Sequence, residues 1–340
     1  MLKIKTEDAI GQVLGHDMTQ IIPGVIKDAR FRKGHILAAE DIPVLLSMGK
    51  EHIYVYEKKE GVLHEDEGAQ ILWSMLRNQH IRPSEVKEGK IECFAATDGL
   101  FKVDRDRLRL VNSAGEMIIA TRHGDTPVKA GDKLAGTRII PLVIEEEKLR
   151  RVQEAVGDKP LLELRPYQIC SCGLIVTGNE VSNGRIEDKF TPVIKKKLAA
   201  YGVEIIEHRL LGDCDRQITA AIGDMAAKGV EMVVCTGGMS VDPDDRTPLA
   251  IRNSGAAIVS YGAPVLPGAM FLLSYLGSIP VLGLPGCVMY AKSTIFDILL
   301  PRILSRDMIT AAELAGLGEG GLCLGCAECT YPNCGFGKGR

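Results

Sequence analysis

The residues best suited to chemistry lie in Thr236-Gly237-Gly238-Met239-Ser240-Val241-Asp242-Pro243-Asp244-Asp245-Arg246-Thr247-Pro248, directly after the apolar stretch 230–235. Paired glycines let backbone N–H groups approach a phosphate closely, and carboxylates can hold a cation against the same anion. On its own, the segment serves equally well as an ordinary strand-to-helix connection with solvated acids. Two further segments shift that balance. Apolar residues 173–177 run into Gly178-Asn179-Glu180, with Asp188 a little beyond, and residues 279–284 close on Pro285-Gly286-Cys287. A second set of reactive groups is Cys323, Cys326, Cys329 and Cys334, which gives C-x2-C-x2-C-x4-C and gathers four of the ten cysteines. Thiols this dense, in a segment too poor in apolar residues to form its own core, call for a metal.

Strands and helices must position these groups. Residues 230–235 read as a buried strand ending in the glycine turn. The acidic loop follows, then a helix opening with Thr247 as N-cap and Pro248 at the first helical position. Residues 173–177 and 279–284 are further buried strands, followed by helices expected over about 190–200 and 290–304. Three strand ends therefore carry glycine loops. In an open α/β sheet, loops at the carboxyl ends of parallel strands converge on one crevice, where ligands bind.

Residues 169–304 resemble the molybdenum-cofactor-biosynthesis domain shared by molybdopterin adenylyltransferases and the gephyrin-like molybdopterin molybdotransferases. The family's T-G-D-E appears as Thr177-Gly178-Asn179-Glu180, its glycine pair as Gly237-Gly238 with Asp245 and Thr247-Pro248 at the matching distance, and its L-P-G as Leu284-Pro285-Gly286. The resemblance implies a three-layer α/β domain with a mostly parallel sheet. It also implies a pterin phosphate lying across the three loops. Thr177, Gly178, Asn179, Thr236, Gly237, Gly238, Ser240, Pro285 and Gly286 would then contact the pterin and its phosphate. Glu180, Asp188 and Asp245 would hold Mg²⁺ or position molybdate or tungstate.

Catalysis would be electrostatic, with a cation bringing two anions together. Three departures matter. Asn179 stands where the family places an aspartate, Ala269 where molybdotransferases place a lysine, and Cys287-Val288 where they place N-P. The activity implied is metal insertion into adenylylated molybdopterin. Two alternatives remain open: a non-catalytic module that binds, senses or delivers the cofactor, favoured by Asn179 and Ala269, and a nucleotide hydrolase of the competence-damage-inducible type. Related domains commonly form homo-oligomers, and apoproteins of molybdo- or tungstoenzymes are the natural recipients.

The cysteine segment has its own resemblance. Its first three cysteines are spaced as in bacterial ferredoxins, although the fourth follows after four residues rather than three. An iron–sulfur cluster and a four-thiolate Zn²⁺ site both answer to the pattern. Of the remaining cysteines, Cys170 and Cys172 on one side of a strand and Cys235 at the end of another read as small buried hydrophobes, Cys93 and Cys214 have no evident partner, and the resemblance puts Cys287 in the site loop. The lone histidines His123 and His208 lack ligand spacing.

Composition narrows the classes. A chain of 340 residues with net charge −3 has no basic surplus for nucleic acid. The clusters at 195–197 and 105–109 read as solvated faces. Residues 253–291 carry no charged side chain, but interleaved prolines and glycines divide them into short buried strands rather than a membrane helix. With no signal peptide at the N-terminus, a cytoplasmic protein is expected. Five parts follow: a small α+β segment at 1–58, a β-rich module at 59–143, a helical linker at 144–166, the α/β domain at 167–310 and the cysteine segment at 319–340. Within the β-rich module, an amphipathic helix at 61–80 precedes a barrel or sandwich at 91–143.

Overall fold

The computed structural model describes residues 1–22, 26–55, 60–239 and 245–339. The chain falls into two compact units, one made of residues 1–96, 103–122 and 130–163, the other of 97–102, 123–129 and 164–340.

In the first unit, strands Leu2–Lys5 and His52–Val55 pair antiparallel, as do Met18–Ile22 and Ile26–Phe31. Leu14, Phe31, Leu45 and Ile53 bury one another between them and the helix Asp41–Ser47. Next comes a four-stranded antiparallel sheet in the order Ile81–Pro83, Lys90–Ala95, Lys133–Ile139, Met117–Thr121. Helices Glu65–Leu76 and Arg105–Ser113 pack against this sheet, so the expected barrel or sandwich is not formed. The second helix was hidden by its charge. Only Val111 of its nine residues is buried, and Asp104 caps it by accepting the Arg107 N–H at 3.0 Å. Arg107, expected on a solvated face, instead donates through Nε to the Val156 carbonyl at 2.7 Å. That carbonyl ends the helix Glu146–Val156, which lies in the stretch read as a linker and buries Leu149, Val152 and Val156.

Helix Glu65–Leu76 starts later than the periodicity predicts because His64 caps it. The His64 ring accepts the Asp66 N–H, and the Glu67 carboxylate accepts the His64 N–H at 2.8 Å. Leu72, Met75 and Leu76 are buried as expected, and Ile71 is half-buried. The first helical residue, Glu65, is buried. That burial, aided by the charge of Asp66 and opposed by Arg138, pushes its carboxyl up to about 7. The folded state therefore holds this proton more tightly than the unfolded chain, whose glutamate titrates near 4.5. The contribution of Glu65 to stability falls as pH rises from about 4.5 to about 7 and is level beyond. Glu65→Gln removes the penalty. Its unfolding midpoint should exceed the wild type at pH 8 by the equivalent of about 1–3 kcal/mol, after discounting for solvent screening, and match it at pH 4. Parallel stability curves for the two proteins across this range would exclude a titrating Glu65.

The second unit is built on β1 (Ser171–Thr177), α1 (Asn179–Ser182), α2 (Phe190–Ala199), β2 (Glu204–Leu211), α3 (Asp215–Ala227), β3 (Val233–Thr236), α4 (Thr247–Asn253), β4 (Ala257–Tyr261), β5 (Leu272–Leu276), β6 (Ile279–Leu284) and α5 (Ile295–Leu304). Its sheet runs β2-β1-β3-β6-β5-β4. The first four strands are parallel; β5 and β4 are antiparallel additions at one edge. Alternation along each strand feeds two cores. Leu174 and Val176 pack with α2 and α5 on one face, while Ile175, Val233 and Cys235 pack with α3 and α4 on the other. This is the three-layer α/β domain that the resemblance implies. The uncharged run forms β4, β5 and β6, and among the described residues no helix is long and apolar enough to cross a membrane.

Three local expectations change. Helix α5 begins at Ile295 rather than near 290, because Thr294 and Asp297 form a capping box in which the Asp297 carboxylate accepts the Thr294 N–H at 2.8 Å. Lys197, read as solvated, pairs with Asp297 and donates to the Lys292 carbonyl. Cys170 is exposed just before β1, whereas Cys172 and Cys235 are fully buried, with thiols pushed up by burial.

Candidate functional site

The three glycine loops leave adjacent parallel strands at one level. Val176 pairs with Thr236 and Thr236 with Leu284, so Thr177, Gly237 and Pro285 stand level at the same sheet edge, with Gly178 one residue further on. Gly237 and Gly238 have φ of +88° and +54°. A Cβ on Gly237 would stand 2.1 Å from the Thr177 carbonyl oxygen, so only glycine lets the β3 turn cross the end of β1 this closely.

The hydroxyls below the turn lock it. The Thr177 and Thr247 hydroxyls are 3.1 Å apart, and Thr247 donates to the Gly237 carbonyl at 2.8 Å. Thr247 is thus the first residue of α4 rather than its N-cap; its hydroxyl holds the turn, and Arg246 takes the capping position. Thr177 and Thr236 are buried, the latter bonded to the Leu284 carbonyl, so what these residues offer a ligand is the shape of the turn.

The expected acids differ in their surroundings. Glu180 is exposed at the start of α1. The Asp188 carboxylate is committed to the first turn of α2, where it accepts the N–H of Phe190 at 2.8 Å and of Thr191 at 3.1 Å, and the Thr191 hydroxyl. His208 reaches the same hydroxyl at 3.0 Å. Asp245 is half-buried just before α4. Its charge, after burial, raises the Tyr261 phenol, whose hydroxyl donates to the Met239 carbonyl at 3.0 Å. Ser240 lies outside the described residues, as do 241–244.

Sequence reasoning missed Asp213. The Asn179 N–H donates to the Asp213 carboxylate at 3.0 Å, and the Asp213 N–H donates back to the Asn179 side-chain oxygen at 3.3 Å. A carboxylate from the loop after β2 therefore stands beside the position where the family's own aspartate is missing. The signal was present in Gly212-Asp213, which follows a strand parallel to β1. On the third loop, Gly286 opens a short 3₁₀ turn, Gly286–Met289, and burial pushes the half-buried Cys287 thiol up, away from thiolate character. Ala269, in the β4–β5 connection, accepts the Ala263 N–H with its carbonyl and brings no charge.

The four tail cysteines surround a cavity of about 660 Å³. The segment carrying them is docked on the α/β core. Leu266 donates to the Gly321 carbonyl and accepts the Cys323 N–H, each at 2.8 Å; the Tyr331 hydroxyl donates to the Asp297 carbonyl at 2.9 Å, and Phe336 is buried. A Cβ on Gly321 would stand 2.4 Å from the Pro264 oxygen, so this glycine permits close packing rather than slack. Among the described residues, no three His, Cys, Asp or Glu side chains converge where a single ion would sit.

With this geometry in view, residues 173–305 match the family model described as "Probable molybdopterin binding domain". Residues 3–57 match a domain of unknown function, DUF8806. The chain is similar to a CinA-like protein of Mycobacterium sp. (strain JLS), 40% identical over 81 residues that make up 24% of this chain and 19% of the relative. A CinA-like protein of Mycobacterium leprae (strain TN) is 36% identical over 75 residues, 22% and 18% of the two chains. The chain thus spans about a fifth of the length of these curated relatives. Among solved structures, it is similar to the molybdopterin biosynthesis enzyme MoaB from Thermus thermophilus, with 18% identity, a TM-score of 0.35, and coverage of 42% of this chain and 99% of that one. The tungsten cofactor synthesizing protein MoaB from Pyrococcus furiosus matches at 18% identity and a TM-score of 0.34, over 41% and 98%.

Proposed function

We propose that this protein binds molybdopterin, or its adenylylated form, across the three loops and takes part in inserting molybdenum or tungsten into it, as a molybdotransferase-like transferase. The observation that carries the reading is the exit of Thr177-Gly178, Gly237 and Pro285 from adjacent strands at one sheet edge, with the turn at Gly237 locked from below. Such a rim presents backbone N–H groups to a phosphate without reorganisation on binding. Gly178, Gly237, Gly238 and Gly286 line the rim, with Ser240 assigned from the sequence.

Oxygen donors suit Mg²⁺, and Glu180, Asp213 and Asp245 would supply them beside the pterin phosphate. Asp188 is better described as the residue that fixes α2. When bound, Mg²⁺ would neutralise charge between pterin phosphate and the incoming oxyanion. The protein's own part is to orient the phosphate on the rim and keep the acids ionised around it. A cytoplasmic homo-oligomer serving molybdo- or tungstoenzyme apoproteins fits this reading.

Two other readings have specific support. A binding or delivery module is favoured by Asn179 and Ala269, which remove a carboxylate and a cation from positions where the family places them. A nucleotide hydrolase is favoured by the similarity to CinA-like proteins. Calorimetric titration of the purified chain with molybdopterin and Mg²⁺ decides between pterin and nucleotide, with ATP and ADP-ribose as competing ligands. Asp245→Ala should weaken pterin binding by about 1–3 kcal/mol, the scale for losing a charge-assisted contact. No binding at millimolar pterin would defeat the central claim.

A further inference from the structure

We infer that the cavity in the cysteine segment is the seat of a four-iron, four-sulfide cluster bound by Cys323, Cys326, Cys329 and Cys334, rather than of a single Zn²⁺. Three observations carry this. All four thiols line one cavity of about 660 Å³, including the fourth, whose spacing departs from the ferredoxin pattern. In two-cluster ferredoxins that last cysteine serves the other cluster, whereas here it closes the same site. Among the described residues, no three of them gather as ligands of a single ion. A tetrahedral Zn²⁺ with Zn–S bonds of about 2.3 Å would draw four sulfurs to within about 3.8 Å of one another, whereas a cubane holds its ligands at separate corners.

The frame is fixed independently of the metal. One end pairs with Leu266, the other is anchored by Tyr331 and Phe336, and Gly337 packs on Ile298. A frame held at both ends cannot easily contract onto a single ion.

The wall suits an anionic cluster. Two ferrous and two ferric ions, four sulfides and four thiols that give up their protons make a dianionic site. Lys292 lines the cavity and donates to the Ala327 carbonyl at 2.7 Å, and no carboxylate is among the described lining residues. Ser293 lies 3.4 Å from the Cys329 sulfur. Lys292 and Ser293 belong to the connection that begins at Gly286, so the cluster would stand behind the third loop of the proposed pterin crevice. That relation rests on the pterin reading; the cluster itself does not.

The test uses the full chain, reconstituted anaerobically with iron and sulfide and separately with Zn²⁺. About four iron and four sulfide per chain are expected, with brown absorbance that bleaches when dithionite supplies one electron to the cluster. Cys326 and Cys329 are exposed, so Cys326→Ser/Cys329→Ser should keep the apo-protein's circular dichroism while iron and sulfide fall at least ~tenfold. Cys170→Ser, at an exposed thiol outside the segment, should load like the wild type. If the double variant fails to fold, sulfide per chain in Cys326→Ser alone decides. One Zn²⁺ retained in competition with no sulfide incorporated, or full iron and sulfide loading in Cys326→Ser/Cys329→Ser or Cys326→Ser, would overturn the assignment. Every readout is made without pterin, so failure here and failure of pterin binding are separate results.

Discussion

Asp307→Ala should destabilise the protein by about 3–5 kcal/mol in chemical denaturation, the range for removing one partner of a buried charge cluster. Asp307 is buried just beyond the end of α5 and faces three cations: Arg302 Nε at 2.6 Å, Arg165 Nη1 at 2.7 Å and Lys102 Nζ at 2.8 Å. Arg302 is itself buried and also pairs with Glu313 at 2.7 Å. Burial acts to raise the Glu313 carboxyl, yet the Thr310 N–H and Arg302 outweigh it and hold the group at about 2. Its contribution is therefore present above about 4.5 and lost as pH falls toward about 2. Without Asp307, Arg302 keeps Glu313 and Lys102 keeps Asp125 at 3.0 Å, but the one acid that all three cations share is gone. Asp307→Asn keeps hydrogen-bond capacity and should lose less. A midpoint for Asp307→Ala within error of the wild type would show that the cations find water instead.

Gly237→Ala is the second large effect. The methyl group would sit 2.1 Å from the Thr177 oxygen and 2.8 Å from its hydroxyl, at a φ of +88° that side chains disfavour. Relief requires β3 or β1 to move, and the expected cost is about 3–5 kcal/mol, the exceptional end for single substitutions. Pterin binding, where present in the wild type, should disappear with it. Gly286→Ala is the control. A Cβ there meets nothing within 4 Å, so the fold should be unchanged and any loss of binding would report contact with the ligand itself. Equal stability of Gly237→Ala and wild type would refute the crossing geometry.

The α/β domain was legible because its buried strands are short apolar runs, each punctuated by glycine, a pattern that survives without tertiary information. The antiparallel edge, β4 and β5, was legible as strands but not as to direction, since strand polarity leaves no mark on composition. In residues 91–143, charge obscured the helix over Arg105–Ser113: a helix with one buried residue has no apolar stripe to read. The candidate site was visible where the backbone makes it, at Gly178, Gly237 and Gly286. It was hidden where distant side chains meet. Asp213 is 34 positions from Asn179, and nothing local in either segment announces the pairing. Asp188 shows the converse, since the carboxylate expected at the site accepts the N–H groups of the first turn of α2.

The hydroxyl pair under the glycine turn bears on how this site can be altered. Thr177 comes from β1, Gly237 from the β3 turn and Thr247 from α4, and each satisfies or accommodates the other two. They are coupled: losing either hydroxyl, or the glycine, leaves the other two without their partner, so changes at these positions are expected to be non-additive. Laboratory selection for a different ligand is therefore expected to spare these three positions and to find its variation along Pro285 and the residues that follow it.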